Sequence, residues 1–238
     1  RGYNSTDTHI GSTARGLISL FQKSGCKIQG LQIDGNKSIY TARYNYGIHL
    51  DFSANNTITG NTCINNYYGI GLITSCDNST VTGNTCNNNT NSGIEIYSSN
   101  DSTVTGNICN NNSVGIDLSS YSRNNAVTGN ICKNNNTGIL LWSYCYNNTI
   151  TGNTCTDNSG SGIVITTHSK NNTVTGNTCN NNKVGICLNA SNNNTITGNT
   201  CIRGTGQTSN YTSDQYTIQL WGSSNNYNLI SSNNCMGK

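Results

Sequence analysis

The octapeptide Asn-Thr-Ile-Thr-Gly-Asn-Thr-Cys stands at Asn56–Cys63, Asn148–Cys155 and Asn194–Cys201, and close variants fill Ser79–Cys86, Ser102–Cys109, Asn125–Cys132 and Asn172–Cys179. The closing cysteines fall at 63, 86, 109, 132, 155, 179 and 201, so the steps between copies are 23, 23, 23, 23, 24 and 22 residues. A period of this size restricts a chain to a stacked array, in which each unit buries its apolar face only against its neighbours.

Within each copy, apolar and polar residues alternate. Ile58 points inward only if Thr57 and Thr59 point outward, which is the two-residue period of a strand. About ten residues later comes Gly-Ile-x-Leu or a variant, at Gly47–Leu50, Gly69–Leu72, Gly93–Ile96, Gly115–Leu118, Gly138–Leu141, Gly162–Ile165 and Gly185–Leu188, with x expected to face solvent. Asn/Ser/Gly clusters between these runs are turn chemistry. Short strands of this kind form sheets only by pairing with their equivalents above and below. The expected fold is therefore all-β, a single-stranded right-handed parallel β-helix, or β-solenoid. Counting the inward residue of each coil (28, 58, 81, 104, 127, 150, 174, 196 and 230) gives nine coils of ~23 residues, each advancing ~4.8 Å. Residues 1–15 carry no repeat and form an N-terminal extension; 16–238 form the β-helix, with a loop insertion at 203–215. A capping helix over Leu17–Gln22 is the less favoured reading of the first coil.

Hydrophobic residues make up 32% of the chain and charged residues 9%, a composition that without a repeat would indicate disorder. Stability must therefore draw on stacked polar groups. The asparagines two residues before each ladder cysteine (Asn61, Asn84, Asn107, Asn130, Asn153, Asn177, Asn199 and Asn233) are expected to stack amide on amide. A formal charge of +3 provides no basic nucleic-acid surface, and no stretch is long and apolar enough to span a bilayer. No cofactor motif is present. Sequons such as Asn4, Asn55, Asn78, Asn100, Asn147, Asn171 and Asn210 allow N-linked glycans, although an Asn/Thr/Ser-rich repeat generates them as a by-product. Twelve cysteines and this polarity suit an extracellular or cell-surface location, and the start at Arg1 suggests a processed chain.

Cys63, Cys86, Cys109, Cys132, Cys155, Cys179, Cys201 and Cys235 share one column, where the first coil has Ile33. They read as small buried hydrophobes or as vertical disulfides, with neither reading preferred; soft-metal binding is a third option without supporting Cys-x-x-Cys spacing. Cys76 and Cys145 in turns, and Cys187 at an x position, are expected to be exposed and to link molecules.

The repeat NNTITGNTCxNNxxGIxL resembles the parallel β-helix repeats of pectate-lyase-like proteins, of the periplasmic copper-protein maturation family, and of cell-surface or sheath proteins of methanogenic archaea. The resemblance covers about Leu17–Cys235 and implies the fold. Function stays open, because this scaffold carries lyases, hydrolases, adhesins and surface-layer components.

Three functions are compatible with these features. The favoured one is a non-enzymatic structural protein that self-assembles into a filament, sheath or surface layer. Its terminal strands, carrying Ile218, Leu220, Ile230 and Cys235 at one end and Ile18, Leu20, Ile28 and Ile33 at the other, would pair between copies, with exposed cysteines locking the homopolymer. The first alternative is carbohydrate binding or polysaccharide cleavage. Here Glu95 and Asp117, adjacent in the x column His49, Gly71, Glu95, Asp117, Leu140, Val164, Cys187 and Gln219, would form an acid/base pair, and Tyr97, Trp142 and Trp221 a sugar-stacking strip. The second alternative is ice binding by the outward Thr-x-Thr ranks, broken only at Ala126.

Overall fold

A computed structural model describes residues 16–36, 45–203 and 216–237. The extension at 1–15 lies outside the described residues, as does the insertion at 203–215 apart from Arg203.

Every element among the described residues is a strand, and every pairing is parallel and links one coil to the next. Six-residue strands form one nine-stranded sheet, beginning Gly16–Phe21, Tyr46–Asp51, Tyr68–Ile73, Ser92–Tyr97 and Val114–Ser119, and ending Val184–Asn189, Tyr216–Trp221. Three-residue Thr-x-Thr strands make a second nine-stranded sheet, and the cysteine-bearing strands a third, interrupted face. Gly16–Phe21 is a strand, so the helical reading of that segment fails: pairing with Tyr46–Asp51 satisfies its backbone.

The count of nine equal coils is a little high. About seven turns keep the ~23-residue period, whereas Ile28 to Ile58 takes 30 residues and Ile196 to Ile230 takes 34. The columns keep their register across these longer steps, with Ile28 paired to Ile58 and Ile196 to Ile230.

The core consists of single-residue columns. Ile48 and Leu50 stand in two of them, Ile58 in a third, and Ile33 with Cys63 in the fourth; apart from a little exposure at Ile33, these residues are closed to solvent. The cysteine column is narrow because the glycines of Gly-Ile-x-Leu face it. A methyl at Gly115 would stand 2.9 Å from Cys132 Cβ and 2.5 Å from the Gly138 carbonyl, so backbone and column meet without room for a side chain.

Polar ladders bind the coils where apolar area is scarce. Asn107 Nδ2 donates to Asn130 Oδ1 at 2.9 Å and to the Val81 carbonyl at 3.0 Å, while its backbone N–H donates to the same Asn130 oxygen at 2.9 Å. The same pattern runs from Asn61 through Asn84, Asn130, Asn153, Asn177 and Asn199 to Asn233. Two more buried ladders run alongside it. One passes through Asn66, Asn89, Asn112, Asn135, Asn158 and Asn182; the other begins at Asn56 and continues through Ser79, Ser102, Asn125 and Asn148. Turn residues beside them, such as Asn88 and Asn111, sit in the left-handed region at φ of 58° and 57°, which asparagine tolerates better than most residues.

Candidate aromatic and carboxylate site

The outward face of the long sheet departs from simple alternation. In the second and third coils Tyr46 pairs with Tyr68 and Ile48 with Ile70, and the glycine between them is turned toward the cysteine column. The backbone therefore kinks, and the residue before the glycine faces outward together with x. Tyr46 lies over the x column, its ring centroid 4.8 Å from that of His49 and stacked 4.5 Å from that of Tyr68. This corrects the expectation of an exposed x column: His49 is 2% exposed, Glu95 8% and Cys187 7%.

Gly71 makes the arrangement possible. A methyl there would collide with the Tyr46 ring, so the ring crosses the third coil only because x is glycine. Tyr46 Oη then reaches the fourth coil and donates to Glu95 Oε2 at 2.5 Å. Gly71→Ala is expected to expel the ring, cost about 1–3 kcal/mol by overpacking, and open Glu95 to water. An NMR titration of the Glu95 carboxyl checks this; unchanged stability and titration would refute the role given to Gly71.

Glu95 and Asp117 are register partners on adjacent strands. Burial raises the Glu95 carboxyl, and the Tyr46 hydroxyl opposes that rise by stabilising the carboxylate. Asp117 is only partly buried as a residue, yet its Oδ1 is shut off from water without a hydrogen-bond partner. Burial, followed by the neighbouring Glu95 charge, pushes its carboxyl up to about 8. At neutral pH the pair therefore divides its roles: Asp117 keeps a proton and Glu95 accepts one hydrogen bond, an arrangement suited to paired acid and base chemistry.

Further along the same face the x column turns apolar at Leu140 and Val164, then meets a concavity of about 530 Å³ lined by Ser161, Lys183, Cys187, Gln219 and Trp221, among others. Tyr97, Trp142 and Trp221 occupy one outward column, in the fourth, sixth and ninth coils, and all three rings are exposed. Ser119 separates Tyr97 from Trp142 in that column, and Thr166 with Asn189 separates Trp142 from Trp221. On the short-strand sheet, Thr59, Thr82, Thr105, Thr128, Thr151, Thr175 and Thr197 stand in unbroken register.

The cysteines expected to link molecules are buried. Cys76 and Cys145 are fully enclosed because they replace serines in an inward column at the sheet corner: their N–H groups donate to Ser99 Oγ and Ser169 Oγ, and Cys145 Sγ donates to the Leu118 carbonyl. Cys187 lies beneath the face, its Sγ 3.9 Å from Gln219 Oε1. All twelve cysteines are thiols, so the disulfide reading of the ladder is not supported either. Cys63, Cys86, Cys109, Cys132, Cys155, Cys179 and Cys201 fill core volume, while Cys235 in the last coil is exposed. The residues placed at the ends for assembly, Ile18, Leu20, Ile28, Ile33, Ile218, Leu220 and Ile230, lie on the first and last rungs.

Comparison with known proteins bears out the β-helix resemblance. The family described as Periplasmic copper-binding protein (NosD) matches residues 29–237. Among solved structures, the A-module of Azotobacter vinelandii mannuronan C-5 epimerase AlgE4 is similar at a TM-score of 0.63 and 15% identity, over 94% of this chain and 74% of that one. The periplasmic alginate epimerase AlgG is similar at 0.61 and 16%, over 90% and 58%, so this chain spans little more than half its length. A mutant tailspike protein of E. coli bacteriophage HK620 is similar at 0.68 and 16%, over 90% and 46%. No curated protein sequence matches this chain. These findings overturn the self-assembling structural reading. The structures that share the coil geometry include enzymes named for polysaccharide chemistry, and the cysteines meant to lock an array are sealed in the core.

Proposed function

This chain belongs to the NosD family, described as periplasmic copper-binding protein, and from that premise we propose that it works outside the cytoplasm, where it binds a polysaccharide along the outer face of the long sheet and cleaves it. The observation that carries the reading is the Glu95–Asp117 pair under the Tyr46 hydroxyl, flanked on its own sheet by a row of exposed aromatic rings. Aromatic faces stack on the apolar faces of sugar rings, and a row parallel to the axis suits an extended polymer. Asp117, protonated at neutral pH, would donate its proton to the leaving glycosidic oxygen as a water attacks the anomeric carbon, and Glu95, once the Tyr46 ring swings off it, would take the proton of that water. The fold shared with the mannuronan and alginate epimerases AlgE4 and AlgG supports a polysaccharide as ligand.

The copper in the family's description finds no matching donor set among the described residues. No group of three or more His, Cys, Asp or Glu side chains converges on a point there. From Cys63 to Cys201 the ladder thiols form a single file closed to solvent. Ligation would require thiolates in an apolar core with no cation beside them and no path of entry. No step of the proposed reaction is routed through copper.

The test is a panel of polysaccharides incubated with the chain, read by size-exclusion chromatography and by new reducing ends. Cleavage of at least one polymer is expected, with Glu95→Gln lowering the rate by about 100-fold or more and the rate falling as pH rises through about 8, where Asp117 loses its proton. Binding without cleavage would overturn the enzymatic half of the reading, and absence of any polysaccharide binding would overturn all of it.

A further inference from the structure

Where the long strands turn toward the short ones, three successive coils carry Tyr121, Tyr144 and His168 at equivalent places. Tyr121 and Tyr144 stack at 5.0 Å with their planes 7° apart, and His168 continues the stack 5.3 Å from Tyr144. Two residues further on, Arg123, Tyr146 and Lys170 pair in a second column. The Arg123 guanidinium lies 5.1 Å from the centre of the Tyr146 ring and 5.9 Å from that of Tyr121, and the Lys170 ammonium lies 5.1 Å from the centre of Tyr146.

The fold does not require these residues. The same corner is built in neighbouring coils from Ser98 with Asn100 before the patch and from Ala190 with Asn192 after it. Bulky rings are unfavourable there, because Tyr121, Tyr144 and His168 adopt φ of 67°, 64° and 61°, a region that large side chains rarely occupy. The strained rings and both cations are confined to the same three coils and lie at the surface, with Tyr121 52% exposed. Neither cation is in an ion pair among the described residues; Lys133 and Asp157 form the ion pair described there.

We propose that this corner binds an acidic polysaccharide, with Arg123 and Lys170 each pairing a sugar carboxylate. The inference deepens the carbohydrate reading above and rests on it. Cation–π contact holds the two charges on either side of one ring, two rungs and therefore roughly 10 Å apart, which corresponds to about one disaccharide of an extended glycan. Acidic groups on alternate sugars would meet them in turn. The phenol hydroxyls of Tyr121 and Tyr144 would supply hydrogen bonds to the sugar hydroxyls between, and exposed Trp142 offers a stacking face on the adjoining strand. Asp117 belongs to the same coil as Tyr121 and Arg123, which follow it by four and six residues. Because Asp117 is protonated at neutral pH, it does not repel an anionic polymer. Two cations are few for a nucleic acid, whose affinity depends on neutralising many closely spaced phosphates.

The experiment measures binding of the full chain to polygalacturonate and alginate, with dextran as the neutral polymer, at low and high salt. The expected result is salt-sensitive binding of the two polyuronates that weakens by about 10- to 100-fold in Arg123→Gln/Lys170→Gln, while circular dichroism and any dextran binding stay unchanged. Polyuronate binding that is unaffected by the double substitution, or binding confined to dextran, would overturn this inference and leave the carbohydrate reading in place. Patch-dependent binding of single-stranded DNA or of phosphatidylserine vesicles, with no polyuronate bound, would also overturn it. Failure to bind any glycan would remove both readings.

Discussion

Asp117→Asn is expected to stabilise the protein at pH 8 to 9 and to leave it unchanged near pH 4. The Asp117 carboxyl titrates at about 8 in the folded chain against an ordinary value of 3.8, because burial and the Glu95 charge disfavour its ionised form. A raised folded value means that the stabilising contribution is fully present below the unfolded value and is lost as pH rises through the folded one. Stability should therefore decline across the window from about pH 4 to about pH 8. The gap between the folded and ordinary values sets an upper bound of about 6 kcal/mol, and partial solvent access to the residue reduces it. The amide cannot ionise, so the variant should keep at high pH the stability that the wild type loses. Denaturant midpoints measured from pH 4 to pH 9 provide the check. Parallel profiles for the two proteins would show that Asp117 ionises freely, and with that the acid role assigned to it would fall. Glu95→Gln should act in the same direction, since burial raises Glu95 as well.

Asn130→Ala should be among the most damaging substitutions in the chain, costing about 3–5 kcal/mol. Its side chain is fully buried in mid-column. Nδ2 donates to the Val104 carbonyl at 2.9 Å, the Thr128 carbonyl at 3.2 Å and Asn153 Oδ1 at 3.0 Å, while Oδ1 accepts from both the N–H and Nδ2 of Asn107 at 2.9 Å. Alanine leaves those groups without partners in a place water cannot reach, so each lost bond carries a desolvation cost. Asn130→Asp should be no milder at neutral pH, because a carboxylate accepts from Asn107 but presents an oxygen to Asn153 Oδ1 and to the Val104 carbonyl. Thr103→Ala, on the exposed face of its strand, serves as the control and should stay within about 0.5 kcal/mol of wild type. Equal denaturant midpoints for Asn130→Ala and Thr103→Ala would show that the ladder contributes little.

Much of the fold is legible in the repeat because a solenoid turns sequence period directly into spatial adjacency. Glu95 and Asp117, 22 residues apart, can be placed side by side from the positions of Gly93 and Gly115 alone. Misreadings arise where strict two-residue alternation fails. At the inward glycine the residue before it also faces outward, so Tyr46 and Tyr68 roof a column that alternation leaves bare. Cys76 and Cys145 mislead for a related reason. They sit in turn-like stretches, but alignment of their coils with Ser99, Ser122 and Ser169 puts them in an inward column. The aromatic corner escapes the repeat pattern because Tyr121, Arg123, Tyr144, Tyr146, His168 and Lys170 replace small polar residues in only three coils and leave the period unchanged.

The sequence by itself determined an all-parallel stack with one cysteine column, Thr-x-Thr strands and one of the three polar ladders, because in-register pairing places any residue against its equivalent about one period away. The tertiary structure decided which outward groups are covered and which charges are held in place. A period identifies the residues that share a column, but it does not say how far a side chain reaches along it. Tyr46 crosses a whole coil to Glu95, 49 residues away, only because Gly71 leaves space beneath the ring. That reach depends on side-chain volume and backbone direction at three separate coils, which come together only once the coils are stacked.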